Sequence, residues 1–210
     1  ENKAGMPGYL KRLADPTAAL LVETRAYTAE ELQRQVHAVS DSLQRVPFER
    51  PFAFTDRVAE YTALWNIRKG LFPSVGAMRR SGTTVIIEDV AFPIQHLAAA
   101  TLELQRLLGQ HHYDEAIIFG HALEGNLHFV FTQDFSQPAE VERYRQLMEA
   151  VCDMVVTRYD GSLKAEHGTG RNMAPFVALE WGPEAYALMQ AIKAIFDPQG
   201  LLNPGVILNA

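Results

Sequence analysis

The sequence predicts an α+β fold, with helices covering one face of antiparallel sheet. Three observations carry this. Strand-like apolar runs and amphipathic helical stretches alternate irregularly, without a strict strand–helix–strand rhythm. Two strand runs flank a glycine-containing turn and read as a hairpin. The length, 210 residues, fits two sheet-and-helix halves that together bury roughly 70% of the unfolded surface. No sequence repeat with a period of roughly 20–50 residues occurs, so any duplication is structural only.

Residues 1–16 are polar, carry Gly5, Pro7, Gly8 and Pro16, and read as a lead-in; residues 17–210 form the domain. Leu20–Thr24 is a short apolar run expected to be a strand. Thr28-Ala29-Glu30-Glu31 fits a capping box opening a helix, with Leu32, Val36, Val39 and Leu43 on one face. Phe52–Phe54, after Pro47 and Pro51, is a second candidate strand. Thr55 is expected to cap a helix carrying Val58, Tyr61 and Trp65. Gly70, Pro73 and Gly76 mark a loop that includes Arg79 and Arg80. Thr83–Ile87 is β-branched and reads as a buried strand. Pro93 suits a helix first turn, with Leu97, Thr101, Leu104 and Leu108 inward. Ala116–Phe119 and His128–Phe131 form the hairpin. Pro138 opens a helix with Val141, Tyr144, Met148, Val151 and Val155 inward. Pro183 opens the last one, with Leu188, Met189, Ile192 and Ile195; Trp181 is expected beneath it. Asp197–Gly200 ends that helix, and Val206-Ile207 is a candidate edge strand.

With 48% hydrophobic residues, the chain has ample apolar surface to offset ordering entropy, which excludes disorder and low complexity. Nineteen Lys and Arg against 25 Asp and Glu give a net charge of −6, which argues against nonspecific nucleic-acid binding. The single cysteine, Cys152, cannot form an internal disulfide and reads as a buried, inert thiol. No apolar run reaches the ~18 residues of a membrane span. The first residues are not a signal peptide. The chain opens on Glu1 rather than Met, which suggests processing or, more simply, a piece of a longer chain. The protein is expected in the cytoplasm.

Two clusters carry candidate chemistry. In Phe119-Gly120-His121-Ala122-Leu123-Glu124-Gly125-Asn126-Leu127-His128, the turn folds two histidines toward each other, and imidazoles suit first-row divalent metals. Spacing alone fits ordinary hydrogen-bonded histidines equally well. In Lys164-Ala165-Glu166-His167-Gly168-Thr169-Gly170, an acid and a histidine adjoin two glycines. An extended backbone there would point Glu166 and His167 to opposite faces, one to a metal and one to a substrate. A Gly-rich turn with both side chains solvated is the plainer alternative. His121, His128 and Glu166 would make three ligands with an open fourth position, the layout of a catalytic zinc site. His167 would then be free as a general base near neutral pH. Arg68, one turn beyond Trp65, offers the planar fork that suits a carboxylate, although its residues alone favour a solvated basic helix end.

Taken in register, these motifs resemble one family. They are Trp65-(x2)-Arg68, Glu88-Asp89-Val90-Ala91-Phe92-Pro93, Gly120-His121-(x4)-Gly125-Asn126-Leu127-His128, Gly161-(x4)-Glu166-His167-Gly168-Thr169-Gly170, and Phe196-Asp197-Pro198-(x2)-Leu201-Leu202-Asn203-Pro204-Gly205. The chain resembles the C-terminal domain of FAD-linked oxidases, the D-lactate, glycolate and D-2-hydroxyglutarate dehydrogenase group. Lys164–Met173 is most similar to large bacterial members that fuse the flavin part to an iron–sulfur domain. The family usually has Gly-Asp where this chain has Leu123-Glu124, which keeps an acid and loses a glycine.

The resemblance implies two ferredoxin-like halves forming one cap over an FAD bound mainly by a preceding domain outside this chain. It implies His121, His128 and Glu166 as ligands of a divalent metal, with zinc the first expectation. It implies His167 as base, Arg68 as substrate-carboxylate clamp, and Asn126 as a polar contact to flavin and substrate. The implied reaction oxidises a D-2-hydroxy acid to a 2-oxo acid, with D-2-hydroxyglutarate as the first candidate substrate and D-lactate or glycolate as alternatives. Electrons would pass to an acceptor or quinone through an iron–sulfur domain elsewhere, which would place the protein peripherally at the inner membrane. The isolated chain is then expected to be inactive. A metal-dependent hydrolase and a non-catalytic ferredoxin-like module are the readings from other classes.

Overall fold

The computed structural model describes residues 17–208, so the expected lead-in of 1–16 lies outside the described residues. The chain divides into two units, residues 1–71 and 72–210.

The described part of the first unit is helical. Helix α1, Ala29–Leu43, starts where the capping box places it, with the Glu31 N–H donating to Thr28 Oγ1 at 3.2 Å. Its stripe of Leu32, Val36, Val39 and Leu43 is half-buried. Helix α2, Val58–Lys69, starts two residues later than expected. Arg57 is its N-cap, and the Thr55 hydroxyl accepts from the Arg57 N–H before the first turn. The expected strands at Leu20–Thr24 and Phe52–Phe54 do not form. Neither run finds a partner edge among the described residues of this unit, and a strand exists only by pairing.

The second unit is built on one antiparallel sheet of order β1-β3-β2. Helix α3, Leu71–Met78, replaces the loop expected there. Pro73 sits in its first turn, where its missing N–H breaks no helical bond. Strand β1 runs Thr84–Ala91, longer than the β-branched run alone predicts, because it continues through Glu88 and Asp89. A 3₁₀ turn at Ile94–His96 leads into α4, Leu97–Gln110. Strands β2, Ile117–His121, and β3, Asn126–Gln133, form the expected hairpin. Helix α5, Pro138–Asp153, continues into a π-helical turn at Met154–Arg158. A short helix, α6, Gly170–Met173, precedes α7, Val177–Phe196.

Helices α4 and α5 bury Leu104, Leu108, Leu147 and Val151 with Phe129 and Phe131 of the central strand. Cys152 is fully buried in this core, as expected, and that burial pushes its thiol pKa far above the ordinary value.

Helix α7 is kinked at Gly182, φ 76°, so its straight part begins at Pro183 as expected. Its anticipated inner face is open instead: Leu188, Ile192 and Ile195 are exposed, as is Trp181. No strand forms at Val206-Ile207. The α+β class therefore stands. The second sheet-and-helix half does not appear: the described residues hold one sheet, and residues 17–71 supply helices without strands. No helix of the described residues is long and apolar enough to cross a membrane.

Candidate metal centre

The site grows from the central strand. In the β1–β3–β2 register, His128 lies between Asp89 and Phe119, and His121 ends β2 opposite Asn126. Directly opposed residues share a sheet face, so Asp89 and His128 are neighbours on that face. The hairpin closes tightly because Gly120 and Gly125 admit backbone where a Cβ would not fit. At each, an added Cβ would stand 2.0 Å from a carbonyl oxygen, of Asn126 and Phe92 respectively. This closure carries His121 toward His128, with ring centroids 5.7 Å apart.

A second segment arrives from the far end of the unit. Ser162 forms an antiparallel bridge to Ala91, with mutual backbone bonds of 2.9 and 3.0 Å. Beyond it the backbone curls around Asp89. The N–H groups of Ala165, Glu166 and His167 all donate to Asp89 Oδ2, at 3.2, 2.6 and 3.2 Å. The segment is therefore bent rather than extended, which corrects the expectation that Glu166 and His167 face opposite ways. Both reach the same cluster. Glu166 Oε1 lies 3.0 Å from His128 Nε2 and 3.4 Å from His121 Nε2. The His167 ring stacks on His128 at 4.8 Å, with its Nε2 4.0 Å from Glu166 Oε1.

The geometry fits a metal ion. Around a tetrahedral ion with bonds of ~2.0–2.1 Å, donor atoms stand about 3.3 Å apart, close to the separations across Glu166. Two imidazoles and a carboxylate suit zinc and neighbouring first-row ions. His128 Nδ1 is buried without a hydrogen-bond partner, and its Nε2 is the nitrogen that faces Glu166 Oε1. Burial, reinforced by the nearby His167, lowers the His128 pKa against the pull of Glu166 and Asp89. It is thus held in the neutral form that ligates. His121 and Glu166 are half-exposed, and Glu166 lines an open cleft with Lys164, Thr169 and Trp181.

The remaining predicted residues divide. Asn126 is buried at the start of β3; its Nδ2 donates to the Val90 carbonyl at 3.3 Å, and its Oδ1 has no hydrogen-bond partner. Arg68 is half-buried on α2, in the first unit.

Sequence reasoning assigned no role to Asp89 or to its neighbour Glu88, although both occur in a quoted motif. Glu88 is buried with Lys164 as ion partner, and it accepts from Asn172 Nδ2 at 2.8 Å. Burial alone would raise the Asp89 pKa. The N–H groups of Glu166 and His167, with the charges of Lys164 and His167, outweigh that and hold it below the ordinary range. The legible signal was two adjacent acids inside a run of β-branched residues, where a buried strand has no cheap place for charge.

Residues 3–207 match the family described as FAD linked oxidases, C-terminal domain. The chain belongs to this family. Among its relatives is glycolate oxidase subunit GlcD of Bacillus subtilis, 33% identical over 133 residues, 63% of this chain and 28% of that protein. D-2-hydroxyglutarate dehydrogenase of Stutzerimonas stutzeri is 30% identical over 149 residues, 70% of this chain and 31% of its own length. A probable mitochondrial D-lactate dehydrogenase of Danio rerio is 28% identical over 181 residues, 86% of this chain and 36% of the relative. The chain thus spans about a third of the length of the curated relatives it matches.

Proposed function

We propose that this chain is the substrate- and metal-binding part of an FAD-dependent dehydrogenase that oxidises a D-2-hydroxy acid to a 2-oxo acid. The observation that carries the reading is the convergence of His121 and His128 on Glu166 Oε1 with His167 stacked alongside. D-2-hydroxyglutarate is the first candidate substrate, on the similarity of Lys164–Met173 to large fused members; D-lactate and glycolate follow from the other named relatives.

His121, His128 and Glu166 would hold the metal, with zinc the first candidate. When bound, the metal supplies a Lewis acid beside the substrate hydroxyl and the flavin supplies a hydride acceptor. His167 presents Nε2 on the cluster side and takes the hydroxyl proton. Asn126 offers a polar atom with no other partner. Arg68 is assigned to the substrate carboxylate by its motif and its bidentate chemistry. The FAD-binding partner domain, an iron–sulfur domain for electron exit to an acceptor or quinone, and a cytoplasmic or membrane-peripheral location complete the proposal.

The test uses the full-length flavoprotein. D-2-hydroxyglutarate, D-lactate, glycolate and D-malate are offered in turn with a dye acceptor, and one or more should reduce the flavin. His121→Ala with His128→Ala should lower bound zinc on the order of tenfold or more and abolish that reduction. Equal zinc in variant and wild type refutes the metal assignment; hydrolysis of esters or amides without flavin would replace the redox reading.

A further inference from the structure

Asp89 is fully buried in the middle of β1. A carboxylate at that depth needs compensation at both oxygens. Oδ2 has it, from three successive backbone N–H groups. Oδ1 is buried without a hydrogen bond and is compensated by charge alone. Two cationic or donor groups approach it, Lys164 Nζ at 3.4 Å and His167 Nδ1 at 3.7 Å. Lys164 already donates to Glu88. Its ammonium also faces Oδ1 as an ion partner, and the imidazole is the second group turned toward that oxygen.

We infer that Asp89 is a positioning residue for His167. One oxygen curls the 165–167 backbone so that the ring arrives at the cluster. The other holds the Nδ1 proton, so that Nε2 is bare where the substrate hydroxyl would stand. The inference rests on the reading of His167 as the base. Its chemistry is that of tautomer choice. A neutral imidazole carries one proton, and the nitrogen that keeps it is set by the bond the ring makes on its far side. An ionised carboxylate only accepts, so it selects Nδ1–H. At 3.7 Å the contact is longer than a hydrogen bond. Catalytic contacts of this kind shorten when substrate fills the site.

The same atoms suggest one rival. Donor atoms of Asp89, His128 and His167 lie within 4.8 Å of one another and form a second candidate ligand set around His128. The Lys164 ammonium beside Asp89 Oδ1 opposes a cation there.

Asp89→Asn separates these roles. Its amide oxygen still accepts the three N–H bonds, and its NH₂ turns toward His167 Nδ1 and donates. The ring proton then moves to Nε2 and blocks the base. In the full-length holoprotein loaded with zinc, Asp89→Asn should keep its zinc and its KM, while flavin reduction falls about 100- to 10,000-fold. Nitrogen-15 spectra of histidine-labelled, zinc-loaded protein should show the protonated nitrogen of His167 switching from Nδ1 to Nε2. Wild-type flavin reduction without a switch overturns the inference. Loss of zinc together with rate also overturns it, and makes Asp89 a ligand. His167→Gln is the control. If it reduces flavin at the wild-type rate, the base reading fails, while the nitrogen spectra still decide whether Asp89 governs the ring.

Discussion

At the scale of single residues, the candidate metal centre depends on one atom that is missing. Gly120 precedes His121, and a side chain there would collide with the Asn126 backbone across the hairpin. Backbone cannot swing aside as a flexible side chain does, so the strands would have to part. Gly120→Ala is expected to destabilise the protein by about 2–3 kcal/mol, measured as a shift of the urea midpoint at unchanged slope. It should weaken zinc binding as well, since His121 and Asn126 stand opposite one another at the displaced position. Gly125, at φ 66°, is constrained twice, by its left-handed backbone and by the Phe92 carbonyl. The departure at Leu123-Glu124 leaves this geometry untouched: both residues sit in the 3₁₀ turn between the strands, and Leu123 is exposed.

At the scale of elements, the end of α7 shows how a short polar sequence stops a long helix. The Asp197 carboxylate accepts from Lys193 and from the N–H groups of Leu201 and Leu202 at 2.9 and 2.8 Å. Lys193 first, then the Leu202 N–H, hold its pKa down at about 2, against the opposing effect of burial. An unfolded Asp titrates near ~3.9. The folded value is depressed, so the stabilisation is fully present above about pH 4 and is lost as pH falls toward 2. Between those values the wild type should lose more thermal stability than Asp197→Asn, whose side chain does not titrate; equal losses would show that this turn contributes nothing. The β1 strand behaves differently from α7. Its hydrophobic run predicts a buried strand, and it is one, yet its two acids are tolerated only because Lys164, Asn172 and three backbone N–H groups arrive from a segment about eighty residues away.

At the scale of the whole chain, burial is unequal between the two units. No residue of α1 or α2 is buried, whereas every residue of β3 except Thr132 is. Local opening follows buried apolar contact. Amide exchange of the 210-residue chain should therefore be slowest along β3 and its partners, and faster by orders of magnitude in α1 and α2. Uniform protection across both units would contradict this.

The sequence by itself determined the α+β class, the hairpin, and the helix starts marked by Thr28 and Pro138, and it singled out the residues that meet at the candidate metal centre. These are local facts: a cap, a proline, a turn glycine or a period of apolar side chains acts within a few residues. The strands at Leu20–Thr24 and Phe52–Phe54 and the open face of α7 were not legible, because pairing and covering require a partner that local pattern does not supply. Tertiary structure alone decided that the segment after Lys164 bends instead of extending. The cause is one carboxylate, Asp89, whose distant strand offers a buried anion to three consecutive N–H groups and so turns Glu166 and His167 toward the same place.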